Sequence, residues 1–115
     1  MNNIFLPSMI EVDFGDYYKR CAKSLFDNGF NSFHVDFGDK KLIGRELECW
    51  DKVYFLKSLG SDMKLTAHIM SMSGDHSLSV ENITARCIDL GFEIIYVHSR
   101  SFKNTNELIK FKEKF

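Results

Sequence analysis

Gly29, Gly60 and Gly91 recur every 31 residues (60 − 29 and 91 − 60). A fixed period of that size marks a repeated supersecondary unit. Each glycine follows a helix-like pattern and precedes an apolar run, which is where a helix takes a left-handed residue at its C-terminal end. The unit therefore reads helix, glycine, strand.

The predicted strands are Ile4 to Ile10, Ser32 to Phe37, Lys64 to Met70 and Glu93 to His98, each short and apolar on both faces. Burial on both sides favours a parallel sheet. Between them, Tyr18, Cys21, Ala22, Leu25 and Phe26 follow the spacing of an amphipathic helix, and Leu47, Trp50 and Tyr54 do so more loosely as a core stripe. Val80, Ile83, Cys87 and Leu90 mark a third helix. A fourth, from about Asn106 to Phe115, aligns Leu108, Phe111 and Phe115, with Asn104 and Glu107 spaced as a capping pair. Strict alternation in four βα units gives an α/β fold, either an open doubly wound sheet or half of a (β/α)8 barrel.

At 115 residues and 44% hydrophobic, the chain suits one modest domain, 1–115. Pro7 is the single proline, and no Ser/Gly-rich or charged run forms a linker. Fifteen basic and sixteen acidic residues give a net charge of −1, so no overall field recommends nucleic acid or an anionic membrane. The longest apolar runs, such as Phe92 to Val97, fall far short of the roughly 20 residues that span a bilayer. Met1-Asn2-Asn3 opens no secretory signal, which implies a cytoplasmic protein. Cys21, Cys49 and Cys87 are an odd, widely spaced set and read as free thiols on helices.

Side chains alternate across a strand, so His34 and Asp36 share one face while Phe33, Val35 and Phe37 take the other. The same parity groups Thr66, His68 and Met70 on the next strand and Ile94, Tyr96 and His98 on the last. Leu6, Ser8 and Ile10 share a face on the first. Polar groups thus recur near the C-terminal strand ends, where α/β barrels and open α/β sheets place ligands. Two imidazoles and a carboxylate, His34, Asp36 and His68, converging there suit a divalent ion such as zinc, iron, manganese or cobalt. Any one histidine at a strand end is more often a hydrogen-bonded structural residue; the three together reverse that preference.

The motifs that carry these residues resemble one family. Phe5-Leu6-Pro7-Ser8-Met9-Ile10 with Asp13-Phe14 looks like the opening strand of the ribulose-phosphate 3-epimerases. His34-Val35-Asp36-Phe37-Gly38-Asp39 resembles their His-Val-Asp-Val-Met-Asp, Ala67-His68-Ile69-Met70 their Val-His-Leu-Met, and Tyr96-Val97-His98 their fourth strand. The resemblance covers essentially the whole chain. It implies the N-terminal (βα)4 half of a TIM (β/α)8 barrel of the ribulose-phosphate-binding type, with the C-terminal half absent from this sequence. It implies a divalent ion on His34, Asp36 and His68, substrate contacts at Ser8 and His68, and metal-assisted proton abstraction by Asp36 at C3 of a ketose phosphate such as ribulose 5-phosphate.

In the family a second aspartate, on the seventh strand, returns the proton, and loops after strands seven and eight hold the phosphate. On this resemblance the chain alone is incomplete for catalysis, and a homo-oligomer or a complementary C-terminal half is the expected partner. The alternative is a non-catalytic half-barrel that binds a sugar phosphate or a partner protein, since fold does not fix function. An orotidine-decarboxylase-like barrel fits less well, because Asp-x-Lys-x-x-Asp is missing after the second strand. Within the matching half, Gly38, Lys40 and Ile43-Gly44-Arg45 depart from the family's loop, and Thr66 stands where it has an aspartate. These changes bear on the lid and on the support of His68. His76, in the polar loop Ser71 to Ser79, reads as solvated, and His98 as a structural residue at the barrel mouth or a minor substrate contact rather than a metal ligand. Lys110, Lys112 and Lys114 complement the negative end of a helix.

Overall fold

The computed structural model describes residues 6–8 and 14–115. Helix α1 (Asp16–Asp27) leads into β1 (Ser32–Gly38), followed by a short α2 (Lys40–Ile43), α3 (Trp50–Leu59), β2 (Lys64–Met70), α4 (Val80–Asp89), β3 (Ile94–Val97), a 3-10 turn (Ser99–Ser101) and α5 (Thr105–Lys114). The three strands are parallel and lie in chain order. Their register runs from Ser32 opposite Lys64 to Gly38 opposite Met70, and from Thr66 opposite Ile94 to Ile69 opposite Val97. Most of the first predicted strand, Ile4 to Ile10, lies outside the described residues. Within them, Ser8 bridges His34 in parallel, and the His34 N–H donates to the Pro7 carbonyl at 3.0 Å.

The alternation expected from the sequence is realised. Phe33, Val35, Phe37, Leu65, Ala67 and Ile69 are buried in one cluster with Tyr18 and Ala22 of α1, Trp50, Val53 and Leu56 of α3, and Val80, Ile83 and Cys87 of α4. Each large member taken fully out of water contributes about 1.5–3 kcal/mol, so this face drives folding. The opposite face carries His34, Asp36, Thr66 and His68 and leaves Ile94 and Tyr96 45% and 50% exposed. The helices therefore cover one side of the sheet, and the chemistry lies on the other.

Helix termini follow their local signals. Ser79 caps α4 by accepting from the Asn82 N–H, and Asn104 caps α5 by accepting from the Glu107 N–H. The Glu107 carboxylate reaches back to the Lys103 N–H at 2.9 Å. Gly29 and Gly91 are left-handed, with φ of 97° and 80°. Gly60 departs from this pattern: its backbone is extended, with φ −168° and ψ 149°. The constraint there is space: a Cβ would lie 2.7 Å from Cζ of Phe26, so the tip of that ring would have to shift to admit it.

Other expectations are corrected. Leu47 is not helical; its N–H and C=O are both committed to Gly38 at 3.0 Å in an antiparallel bridge. Helix α3 therefore starts at Trp50, with Cys49 at its cap and not on the helix. Tyr54 is not core: it is 47% exposed, and its hydroxyl accepts from Arg86 Nη2 at 2.6 Å. The same guanidinium stacks over Trp50 at 4.1 Å. The three cysteines are free. No helix among the described residues is long and apolar enough to cross a membrane.

Candidate metal centre

Two features assemble the site. Strand parity turns His34, Asp36 and His68 to the same face, and the parallel register sets Asp36 directly opposite His68 and His34 opposite Thr66. Parallel strands lie about 4.8 Å apart, so side chains facing each other across them meet.

His34 Nε2 lies 3.5 Å from Asp36 Oδ1, and His68 Nδ1 lies 3.3 Å from the same oxygen. These spacings match the edges of a ligand shell: donors about 2.0–2.1 Å from a tetrahedral ion stand about 3.4 Å apart. One donor atom from each of the three residues lies within 4.8 Å of the others. Two imidazole nitrogens and a carboxylate oxygen form a donor set that zinc, iron, manganese and cobalt accept. The cluster could hold one divalent ion, and its residues fit that group.

Each first-rank side chain is held by a second. His34 uses its other nitrogen, Nδ1, on the Thr66 hydroxyl at 2.8 Å, which leaves Nε2 facing Asp36. His68 uses Nε2 on His98 Nε2 at 2.6 Å, leaving Nδ1 facing Asp36. The Ser8 hydroxyl donates to Asp36 Oδ2 at 3.2 Å. Asp36 is 8% exposed, so it is oriented on one oxygen and open to a ligand on the other. Tautomer and ring orientation are fixed by such outer contacts.

Sequence reasoning placed His34, Asp36, His68 and Ser8 on one face, and the structure brings all four together. Sequence reasoning tied Thr66 only to a change in the support of His68; His98 is the partner of His68, and the Thr66 hydroxyl meets His34. The signal was its inward parity; the register that selects its partner is invisible in the sequence. His98 joins the cluster through His68 while lying just beyond the end of β3.

His76 is a correction. Its Nε2 lies 2.8 Å from Oδ2 of Asp39, a residue only 4% exposed, so it is a tie between loops. The same Asp39 accepts from the Leu42 N–H at 2.9 Å, capping α2, and from the Met72 N–H at 2.8 Å. Burial pushes the Asp39 carboxyl up. The N–H groups of Met72 and Leu42 and the His76 imidazole outweigh it and hold the pKa below the usual carboxylate value. Asp39 thus clasps the segment after β1 to the segment after β2, immediately beyond the strands that carry His34, Asp36 and His68. Gly38 precedes it because a Cβ there would run into Ile43 Cδ1 and lie 3.1 Å from the Met70 carbonyl oxygen. Elsewhere, burial pushes the Tyr18 hydroxyl and the Cys87 thiol up to about 12, as expected of core groups without a proton-transfer role.

No family model, curated protein or solved structure matches the chain.

Proposed function

We propose that this chain is a half-barrel of the phosphopentose-epimerase type, in which His34, Asp36 and His68 hold a divalent ion and Asp36 moves the proton at C3 of a ketose phosphate such as ribulose 5-phosphate. The observation that carries the reading is the convergence of both imidazoles on Asp36 Oδ1, at 3.5 and 3.3 Å. The sheet is consistent with it. Strands in chain order with helices over one face and polar ligands on the other suit a barrel, whereas a doubly wound sheet carries helices on both faces.

Asp36 would act as general base, accepting the C3 proton while the electron pair of the broken C–H bond delocalises onto the C2 carbonyl oxygen. When bound, the ion supplies positive charge that stabilises the enediolate oxygens. The Ser8 hydroxyl donates to Asp36 Oδ2 at 3.2 Å and would orient the carboxylate. Inversion requires proton return from the opposite face. We further propose that a second copy covers the exposed Ile94 and Tyr96. Closing two copies into eight strands would place the second copy's His68, not a carboxylate, where the family's second aspartate stands. Proton removal would then outpace inversion.

The test is incubation with ribulose 5-phosphate and zinc or manganese in deuterated water, following deuterium at C3 and the epimer together. Deuterium uptake that exceeds epimer formation and is lost in Asp36→Asn is the expected result. Absence of exchange, or exchange unchanged by Asp36→Asn, would remove the reading.

A further inference from the structure

His68 borders a second space. Beside the metal cluster, a cavity of about 200 Å³ is lined by Leu42 and Ile43 of α2, His68 and Met70 of β2, His98, and Arg100 of the 3-10 turn. Its volume is below the usual 300–1,000 Å³ of ligand sites, so it suits one end of a small molecule. Its wall is mostly apolar and is shaped by Gly38, whose missing side chain lets Ile43 fold inward. Arg100 is exposed and forms no ion pair among the described residues. A guanidinium with its donors free, on the rim of a concave site, is suited to bidentate capture of a phosphate or carboxylate.

We infer that this cavity is the anion pocket of the substrate, with Arg100 receiving the phosphate of a small phosphorylated ketose; this rests on the reading of Asp36 as the proton carrier at C3. The geometry links the two ends through a single residue. His68 turns Nδ1 to Asp36 at 3.3 Å and Nε2 to His98 at 2.6 Å, and both imidazoles line the cavity. A substrate with its carbonyl end at Asp36 would lay its C4–C5 arm along His68 and reach Arg100 with its phosphate ester. The resemblance placed phosphate on loops after later strands; here a cationic group follows β3 instead.

Calorimetric titrations of the zinc-loaded chain with inorganic phosphate, ribulose 5-phosphate and uncharged ribulose test this. Both phosphates should bind saturably, and Arg100→Gln should weaken both by about tenfold or more, the loss expected for charge-assisted hydrogen bonds. Arg100→Lys should recover part of the loss, ribulose should be indifferent to either change, and zinc affinity should not move. Unchanged phosphate affinity in Arg100→Gln, or no saturable phosphate binding by the parent chain, would overturn the inference. His34→Ala separates the two readings: it should lose zinc yet keep inorganic phosphate. Zinc retained by His34→Ala with phosphate still dependent on Arg100 would remove the metal assignment and leave the anion pocket standing.

Discussion

The Nε2 atoms of His68 and His98 lie 2.6 Å apart, so one ring must donate and the other accept. If His68 donates, its Nδ1 carries the lone pair that faces Asp36, which is the tautomer a metal ligand requires. His98→Ala should therefore lower zinc affinity by about 10- to 100-fold without unfolding the chain. His98→Gln, which keeps an acceptor, should restore part of it. Parallel zinc titrations and thermal melts check this, and equal affinity in all three proteins would remove His98 from the site.

The Asp39 clasp predicts a specific acid response. The folded carboxyl lies below its ordinary value of 3.8, so its charged form contributes stability that is complete above that value and is lost as pH falls through the folded pKa. Asp39→Asn should cost about 1–3 kcal/mol at neutral pH, because the partly buried Leu42 and Met72 N–H groups lose a charged acceptor. It should also flatten the dependence of melting temperature on pH below about pH 4. Melts of both proteins from pH 7 to pH 3 measure this; parallel curves would show that Asp39 is not the titrating group.

At Gly60 the crowding comes from the Phe26 ring and not from the glycine's own backbone angles. Gly60→Ala should cost about 1–3 kcal/mol through overpacking, and adding Phe26→Leu should recover most of the loss. Gly91→Ala should also destabilise, by about 1 kcal/mol or more from its left-handed backbone, but with no rescue by Phe26→Leu. Denaturant unfolding of the single and double variants separates the two causes.

How much was legible follows from which distances the sequence encodes. Phe33, Val35 and Phe37 against His34 and Asp36 is a period-two pattern within one strand, and the burial of the sheet reads directly from it. The pairing of Asp36 with His68 and of His34 with Thr66 depends on register between segments about 30 residues apart, which alternation alone leaves open. The loop carrying His76 looked polar, and its return to Asp39 is a tertiary contact between two irregular segments. The equal spacing of Gly29, Gly60 and Gly91 did locate three helix ends. It concealed that two serve a left-handed turn and one serves an aromatic ring.

Association should accompany the proposed function. Strand β3 has no outer strand partner among the described residues, and Ile94 and Tyr96 stand half exposed on the site face. Light scattering should show a dimer or larger species that Tyr96→Lys weakens. A dilute, stable monomer with a cooperative melt would contradict this.

The most direct measurement is a zinc titration of the parent chain, His34→Ala, His68→Ala and Asp36→Asn, each first shown by circular dichroism to be folded. The parent should bind one zinc per chain. Each substitution should weaken binding by at least tenfold, because one donor atom from each of the three residues lies within 4.8 Å of the others and each would supply one ligand. Stoichiometric binding that survives all three substitutions, or no binding by the folded parent, would contradict the metal centre on which the proposed chemistry depends.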